Sequence, residues 1–175
     1  MELNTPRLLL ALKTKAHFDL WAQGPAAFQA ATALTVADGY PVFPEEMDAS
    51  RWPVQSQRPE DQCWGAYLLV YRETQTLIGS AGFHGLPDAE GHAEIGYSIV
   101  PNYRRRGLAS EALSALRQFA AASPLIRSLG ATTLAGDPAS GGVLKANGFA
   151  PLGDPIEVDD PDEGRLSVQA WHLHL

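Results

Sequence analysis

The stretch AEIGYSIVPNYRRRGLASEAL, residues 93–113, changes its hydrophobic period part-way along. From Ala93 to Val100 the alternation puts Glu94, Gly96, Ser98 and Val100 on one face of a strand and Ala93, Ile95, Tyr97 and Ile99 on the other. From Leu108 the apolar positions Ala109, Ala112, Leu113, Leu116, Phe119 and Ala120 recur at the spacing of one buried helical face, until Ser123-Pro124 stops it. Strand, short loop and helix therefore follow one another, and Pro101 to Gly107 is the loop.

That loop carries the triplet Arg104-Arg105-Arg106 where helix physics disfavours it. A helix N-terminus prefers acidic neighbours by about 0.3–1 kcal/mol each, and the chain as a whole has a formal net charge of -7. An anion seated on the loop offsets the repulsion. Backbone N–H groups at a helix start make such a cradle, and small residues such as Gly107 and Ala109 let a phosphate approach the backbone. The plainer reading is a solvated basic loop with a glycine turn; the strand-loop-helix setting favours anion binding. No Gly-Lys-Ser/Thr ends a glycine-rich loop and no Gly-x-Gly-x-x-Gly follows a strand, so neither common nucleotide loop is present.

Outward from this centre the pattern is mixed α/β. Trp64 to Tyr71, Thr76 to Phe83 and His92 to Val100 read as an antiparallel meander, its first turn being Arg72-Glu73-Thr74-Gln75. Gly130 to Ala135 reads as a strand, Pro138 to Asn147 as a helix ended by Gly148, and Ile156 to Val158 with Leu166 to His174 as a closing hairpin around the acidic turn 159–164. Near the start, Ala16 to Ala37 suggests amphipathic helices broken at Gly24-Pro25. The prolines at 41, 44, 53 and 59 make Tyr40 to Pro59 a surface loop with short helical pieces.

A chain of 175 residues is expected to form one domain over 1–175. Its acidic balance argues against a general nucleic-acid binder. The longest early apolar run, Leu8 to Leu12, is too short for a membrane span or signal core, so a cytoplasmic location is expected. Cys63, the only cysteine, excludes an internal disulfide. His84 and His92 bracket one loop but lack a third spaced ligand, so no metal is expected.

Arg104-x-x-Gly107-x-Ala109 resembles the Q/R-x-x-G-x-G/A signature of the GNAT superfamily of N-acetyltransferases. The surrounding run, the start TPRLLL and the later DPASGGVLKANGF are similar to its ribosomal-protein N-terminal acetyltransferase branch, the RimJ/RimL type. The resemblance spans most of the chain and is weakest across Phe28 to Cys63. It implies a central, mostly antiparallel mixed sheet flanked by helices, with acetyl-coenzyme A as co-substrate in a gap between the strand ending at Val100 and the next strand. Ile99, Val100 and Pro101 match the pantetheine-pairing strand end; Arg104, Arg105, Arg106, Gly107, Leu108, Ala109 and Ser110 match the pyrophosphate loop. Asp137 and Lys145 fall near the co-substrate.

Amine acetylation needs an outlet for the amine proton, stabilisation of the oxyanion and a proton for the thiolate. Glu94 is the candidate acceptor of the amine proton, the alternative being a structural or solvated carboxylate. Ser140 matches a serine that in this branch protonates the thiolate, the alternative being a helix cap. Three positions depart from the family pattern: Asp137 replaces an asparagine, Leu144 a tyrosine general acid, and Thr132 a second carboxylate. The acceptor implied is a protein N-terminal α-amine. A small-molecule amine (antibiotic or polyamine) and a non-catalytic acyl-coenzyme A binding module are the alternatives. Tyr40, Phe43, Glu45, Glu46 and Trp52 lie in the loop that borders the acceptor site in the family. The chain is expected to act as a monomer or homodimer, without nucleic-acid or membrane partners.

Overall fold

The computed structural model describes residues 1–48, 59–160 and 164–175. The strands are β1 (Glu2–Asn4), β2 (Leu8–Leu12), β3 (Thr35–Val36), β4 (Ala66–Tyr71), β5 (Thr76–Phe83), β6 (His92–Ile99), β7 (Ser128–Leu134), β8 (Ala150–Asp160) and β9 (Gly164–His174). The helices are α1 (Lys15–Trp21), α2 (Pro25–Thr32), α3 (Leu108–Ala121) and α4 (Pro138–Ala146). Short 3-10 turns cover Pro44–Met47, Pro59–Trp64 and Pro101–Tyr103.

One sheet runs β1-β2-β4-β5-β6-β7-β9-β8, antiparallel except where β6 meets β7. β3 lies parallel to β5 at Thr76 and Leu77, on the stretch of its edge that β6 does not reach. Trp171, Ala131, Leu129, Ala93 and Ile95 face one side of the sheet and are buried. Helix α3 buries Leu108, Ala112, Leu113, Leu116 and Ala120, each large aliphatic contributing about 1.5–3 kcal/mol. Trp64, Phe83 and Phe119 form a ring cluster, with Trp64–Phe83 and Trp64–Phe119 centroids 4.9 and 5.2 Å apart.

Several expected bounds shift. The meander begins at Ala66, because Trp64 closes a 3-10 turn instead of opening the strand. The short apolar run Leu8–Leu12 is a strand, with Leu8, Leu10 and Leu12 buried, and β1 pairs with it. The closing hairpin is longer than the apolar residues suggest: β8 starts at Ala150 and passes Pro151, Gly153 and Pro155 through a register shift between Leu152 and Ile156. An edge strand tolerates prolines that a central one does not.

Candidate active site

The site begins with an unpaired strand edge. Val100 N–H donates to the Ile78 carbonyl and His84 N–H to the Glu94 carbonyl, both at 2.9 Å. In an antiparallel ladder the even positions of β6 therefore face β5, and Ile95, Tyr97 and Ile99 turn their backbone groups the other way. On that side β7 pairs only with His92, Ala93 and Glu94. Beyond Glu94 the two parallel strands part and leave an open slot.

The loop after β6 feeds this slot. Tyr103 N–H and Arg104 N–H close turns onto Val100 and Pro101, at 3.0 and 3.1 Å. From Arg105 to Ser110, no backbone N–H has a partner among the described residues; the first helical bond into α3 is Glu111 N–H to Gly107 O, 3.0 Å. No side chain caps that helix. Arg105 and Gly107 both have positive φ, 58° and 75°, so successive N–H groups converge as in an anion nest. Glycine relieves the strain at 107. At 105 an arginine bears it.

The three arginines do different things. Arg104 Nε donates to the Ile99 carbonyl at 2.7 Å, occupying one acceptor of the open edge. Arg106 stands between two tyrosines, its guanidinium 5.1 Å from the ring centroids of both Tyr71 and Tyr103. Its own carbonyl accepts from Arg7 Nη1 at 2.9 Å, and Arg7 Nε in turn binds Glu111 at 2.7 Å. Arg105 is exposed, and among the described residues it makes no side-chain hydrogen bond or ring contact. Leu108 sends its side chain into the core, so only its N–H faces the loop. Ser110 Oγ accepts from Asn147 Nδ2 at 2.9 Å, which joins α3 to the end of α4.

Helix α4 forms the far wall. Asp137 caps it, Oδ1 accepting from Ala139 N–H at 2.9 Å and Ser140 N–H at 3.2 Å. Ser140 Oγ donates to Asp137 Oδ2 at 2.6 Å, and this bond above all holds the Asp137 carboxyl below its ordinary range. The Tyr97 hydroxyl donates to the Ser140 carbonyl at 2.8 Å across the slot. Lys145 points away, exposed, with Nζ 5.7 Å from the Trp171 ring centroid.

One cavity of about 800 Å³ adjoins the slot, lined among others by Tyr97, Thr132, Asp137 and Ser140 at one end and by Lys13, Glu46 and Ser80 at the other. Of the two expected catalytic side chains, Ser140 lines it and Glu94 does not. Glu94 is exposed, with His84 Nδ1 3.8 Å from its carboxylate. The alternation assigned its face correctly, but no helix covers that face at Glu94, and the lining starts at Ile95 and Gly96. His92 instead bonds Ser128 Oγ at 2.9 Å and stacks on His172 with centroids 5.8 Å apart. Among the described residues no group of His, Cys, Asp or Glu is placed to hold a metal ion, and no helix is long and apolar enough to cross a membrane.

A buried polar cluster at the inner end has no counterpart among the catalytic assignments made from sequence. Lys13 is 2 % exposed, and its Nζ donates to the Glu46 backbone carbonyl at 2.9 Å. Burial lowers its pKa to about 8 against the raising influence of Glu46. Burial raises the Glu46 carboxyl, while the hydroxyls of Ser98 and Ser80 and the charge of Lys13 pull it back. Those hydroxyls face the carboxylate without closing a bond: Glu46 Oε2 and Ser98 Oγ are both buried with no hydrogen-bond partner. The Tyr40 hydroxyl lies 3.5 Å from Ser80 Oγ. The family resemblance places Tyr40 and Glu46 in the loop bordering the acceptor site; for Lys13 the only sequence signal is its position directly after the buried run Leu8–Leu12. Trp52, the remaining aromatic of the expected acceptor loop, falls outside the described residues.

A sheet parted at β6 and β7, with a nest of free N–H groups at the mouth of the gap, defines an acyl-transferase class of fold. Residues 7–150 match the acetyltransferase (GNAT) domain family, and the chain belongs to it. An uncharacterized N-acetyltransferase, YoaA, of Bacillus subtilis (strain 168) is 36% identical over 86 residues, 49% of this chain and 47% of that protein. The match thus spans about half the length of that relative. Among solved structures, RimL, a ribosomal alpha-N-protein acetyltransferase in complex with coenzyme A, aligns with a TM-score of 0.72 at 18% identity over 100% of this chain and 98% of that one. A microcin self-immunity acetyltransferase, MccE, in complex with acetyl-CoA and AMP, aligns with a TM-score of 0.69 at 15% identity over 98% and 94%. These likenesses establish the fold.

Proposed function

We propose that the chain transfers an acetyl group from acetyl-coenzyme A to a primary amine by direct attack within a ternary complex, giving an amide and a free thiol. The observation that carries this reading is the run of unpartnered N–H groups from Arg105 to Ser110 beside the unpaired edge of β6. The residues fit the co-substrate. A diphosphate supplies the acceptors that the nest lacks, and a pantetheine amide supplies partners for the backbone groups of Tyr97 and Ile99. Bound there, acetyl-coenzyme A supplies the activated acyl carbon.

The chain's own groups hold and order the site. Tyr97, whose phenol burial raises to about 12, stays protonated and ties β6 to α4. Asp137 fixes the first turn of α4 and holds the Ser140 hydroxyl. Ser140 is the proton donor to the thiolate in this reading, and its hydroxyl turns from Asp137 to serve it. The acceptor is a protein N-terminal α-amine, in keeping with the RimL likeness. A small amine is the second reading, favoured by the cavity's size, which lies in the range of about 300–1,000 Å³ usual for small-molecule sites.

The test measures calorimetric binding of coenzyme A, then thiol release from acetyl-coenzyme A over a panel of peptides and small amines. Binding with turnover on at least one amine is expected. Binding without turnover on any acceptor would make the chain a non-catalytic acyl-coenzyme A module; absence of binding would remove both readings.

A further inference from the structure

The β8–β9 hairpin turns its apolar side away from the chain's own core. Trp171 of β9 and Ala131 of β7 face the core and are buried, so the even-numbered positions of both strands point to the other side of the sheet. Directly paired residues share a face. The register therefore sets Leu134 and Ile156 beside Val168, Val158 beside Leu166, and Leu152 beside Ala170 on that side. The charges lie opposite: Glu157 pairs with Ser167 and Asp159 with Arg165, and Arg165 Nε is 3.4 Å from the Glu157 carboxylate. An antiparallel pair with one solvated face ordinarily has the reverse arrangement, apolar towards the core and polar outwards.

Among the described residues nothing covers this side. Leu134, Leu152, Ile156, Val158, Leu166 and Val168 neither belong to the buried core nor pack against it. Leu134, Leu152 and Ile156 are 49 %, 61 % and 60 % exposed, and apart from its ladder with β9, β8 makes no extensive contact with another described element. The free edge of β8 is a poor template for a further strand, because Pro151, Pro155 and the register shift break its row of donors. The face has no such protection. Three strands spaced about 4.8 Å and rising about 3.4 Å per residue give it roughly 500 Å². Two copies in contact bury about 1,000 Å² in total, the size at which specific interfaces begin.

The face suits its own copy. Homodimer interfaces are more apolar than the surface at large, and on this side every ladder pair between Gly164 and His172 is uncharged. Two chains of net charge -7 can meet here without like-charge contact. The ends of the face are unlike: Asp160 pairs with Gly164 at one, and His174 pairs with Ser128 at the other. A two-fold axis lying across the strands, between Val168 and Ala170, sets the carboxylate end of each copy against the imidazole end of its partner, a self-complementarity that an identical chain supplies by symmetry.

We infer that this face of the β8–β9 hairpin is the interface of a two-fold homodimer. Leu134 also lines the cavity, so the partner copy stands at its rim. The inference does not depend on the acetylation reading.

Sedimentation equilibrium of the full chain from about 1 to 200 μM covers affinities usual for an interface of this size. Wild type is expected to dimerise. Val168→Asp and Val168→Lys are each expected to weaken association at least about 100-fold, and an equal mixture of the two to recover it, because position 168 lies beside the axis. Ser167→Asp, on the charged side of the same strand, is expected to leave association unchanged. Unchanged far-UV circular dichroism shows that the variants are folded. Monomeric wild type throughout the range overturns the homodimer; co-sedimentation with phosphatidylcholine vesicles, lost in Val168→Asp, would then give the face to a lipid surface. A wild-type dimer that Val168→Asp leaves intact overturns the interface. A mixture of the Asp and Lys variants that stays monomeric overturns the two-fold placement.

Discussion

The Tyr97 hydroxyl and the Ser140 carbonyl, 2.8 Å apart, are the one side-chain hydrogen bond recorded between β6 and α4 among the described residues. It spans the slot at the level where β6 has lost its partner strand. Tyr97→Phe is expected to cost about 1 kcal/mol, a fall in Tm of about 2–4 °C for a chain of this size. It should also raise the KM for acetyl-coenzyme A, because the slot loses its tie. Differential scanning fluorimetry and initial rates measure both, and an unchanged Tm would show that the bridge contributes nothing in solution.

Gly107 tests whether backbone or side-chain charge makes the anion site. At φ 75° a side chain is strained by about 1–2 kcal/mol, and it crowds the nest as well. Gly107→Val is expected to weaken coenzyme A binding by about tenfold or more. Arg105→Ala, which removes an exposed charge, should cost less than about fivefold. Calorimetry on both variants decides, and comparable losses would give the side-chain charge the leading part.

Glu111 couples the N-terminal hairpin to α3. It accepts from Thr5 Oγ1 at 2.5 Å, Arg7 N–H at 2.8 Å and Arg7 Nε at 2.7 Å. Burial raises its carboxyl, but those donors outweigh it and leave the group below its ordinary value. A carboxylate depressed in the folded state stabilises it above the unfolded pKa, and that stability is lost as pH falls through the folded one. Glu111→Gln is expected to destabilise by about 1.5–3 kcal/mol near neutrality. The difference should shrink in urea melts taken at increasingly acidic pH.

Lys13 has the opposite sign. Its folded pKa of about 8 lies below the ordinary 10.5, so between those values the unfolded chain holds more protons and stability rises with pH. Wild-type urea midpoints are expected to climb across that window relative to Lys13→Met, which lacks the group. Parallel curves for the two proteins would show that Lys13 titrates normally.

The central stretch was legible because its two periods are strong and consecutive: Ile95 and Ile99 alternate, and Leu113 and Leu116 hold helical spacing. β1 was not, since Glu2–Asn4 is too short to show a period. β8 was hidden by Pro151, Gly153 and Pro155, which read as loop and are admitted by a bulged edge. The arginine loop was visible as a place, but the division of work within it was not, because Tyr71 and Tyr103 reach Arg106 only once the sheet has formed. The Lys13–Glu46 pair was the least legible. Its members are 33 positions apart, and Glu46 sits in a proline-rich loop where an acid ordinarily faces water. Burial, which gives that pair its chemistry, is a property of the fold.

The tyrosine pair around Arg106 bears on the entropy of ligand capture. Ordering a free arginine side chain costs up to about 2 kcal/mol, and a site that must do so on binding loses that amount from its affinity. Arg106 is set between its rings and Arg104 on the Ile99 carbonyl before any ligand arrives. Of the triplet, only Arg105 still has rotamer freedom to lose. An anion reaching this loop therefore meets a surface whose shape is largely fixed in advance, and the remaining adjustment falls on a single flexible side chain.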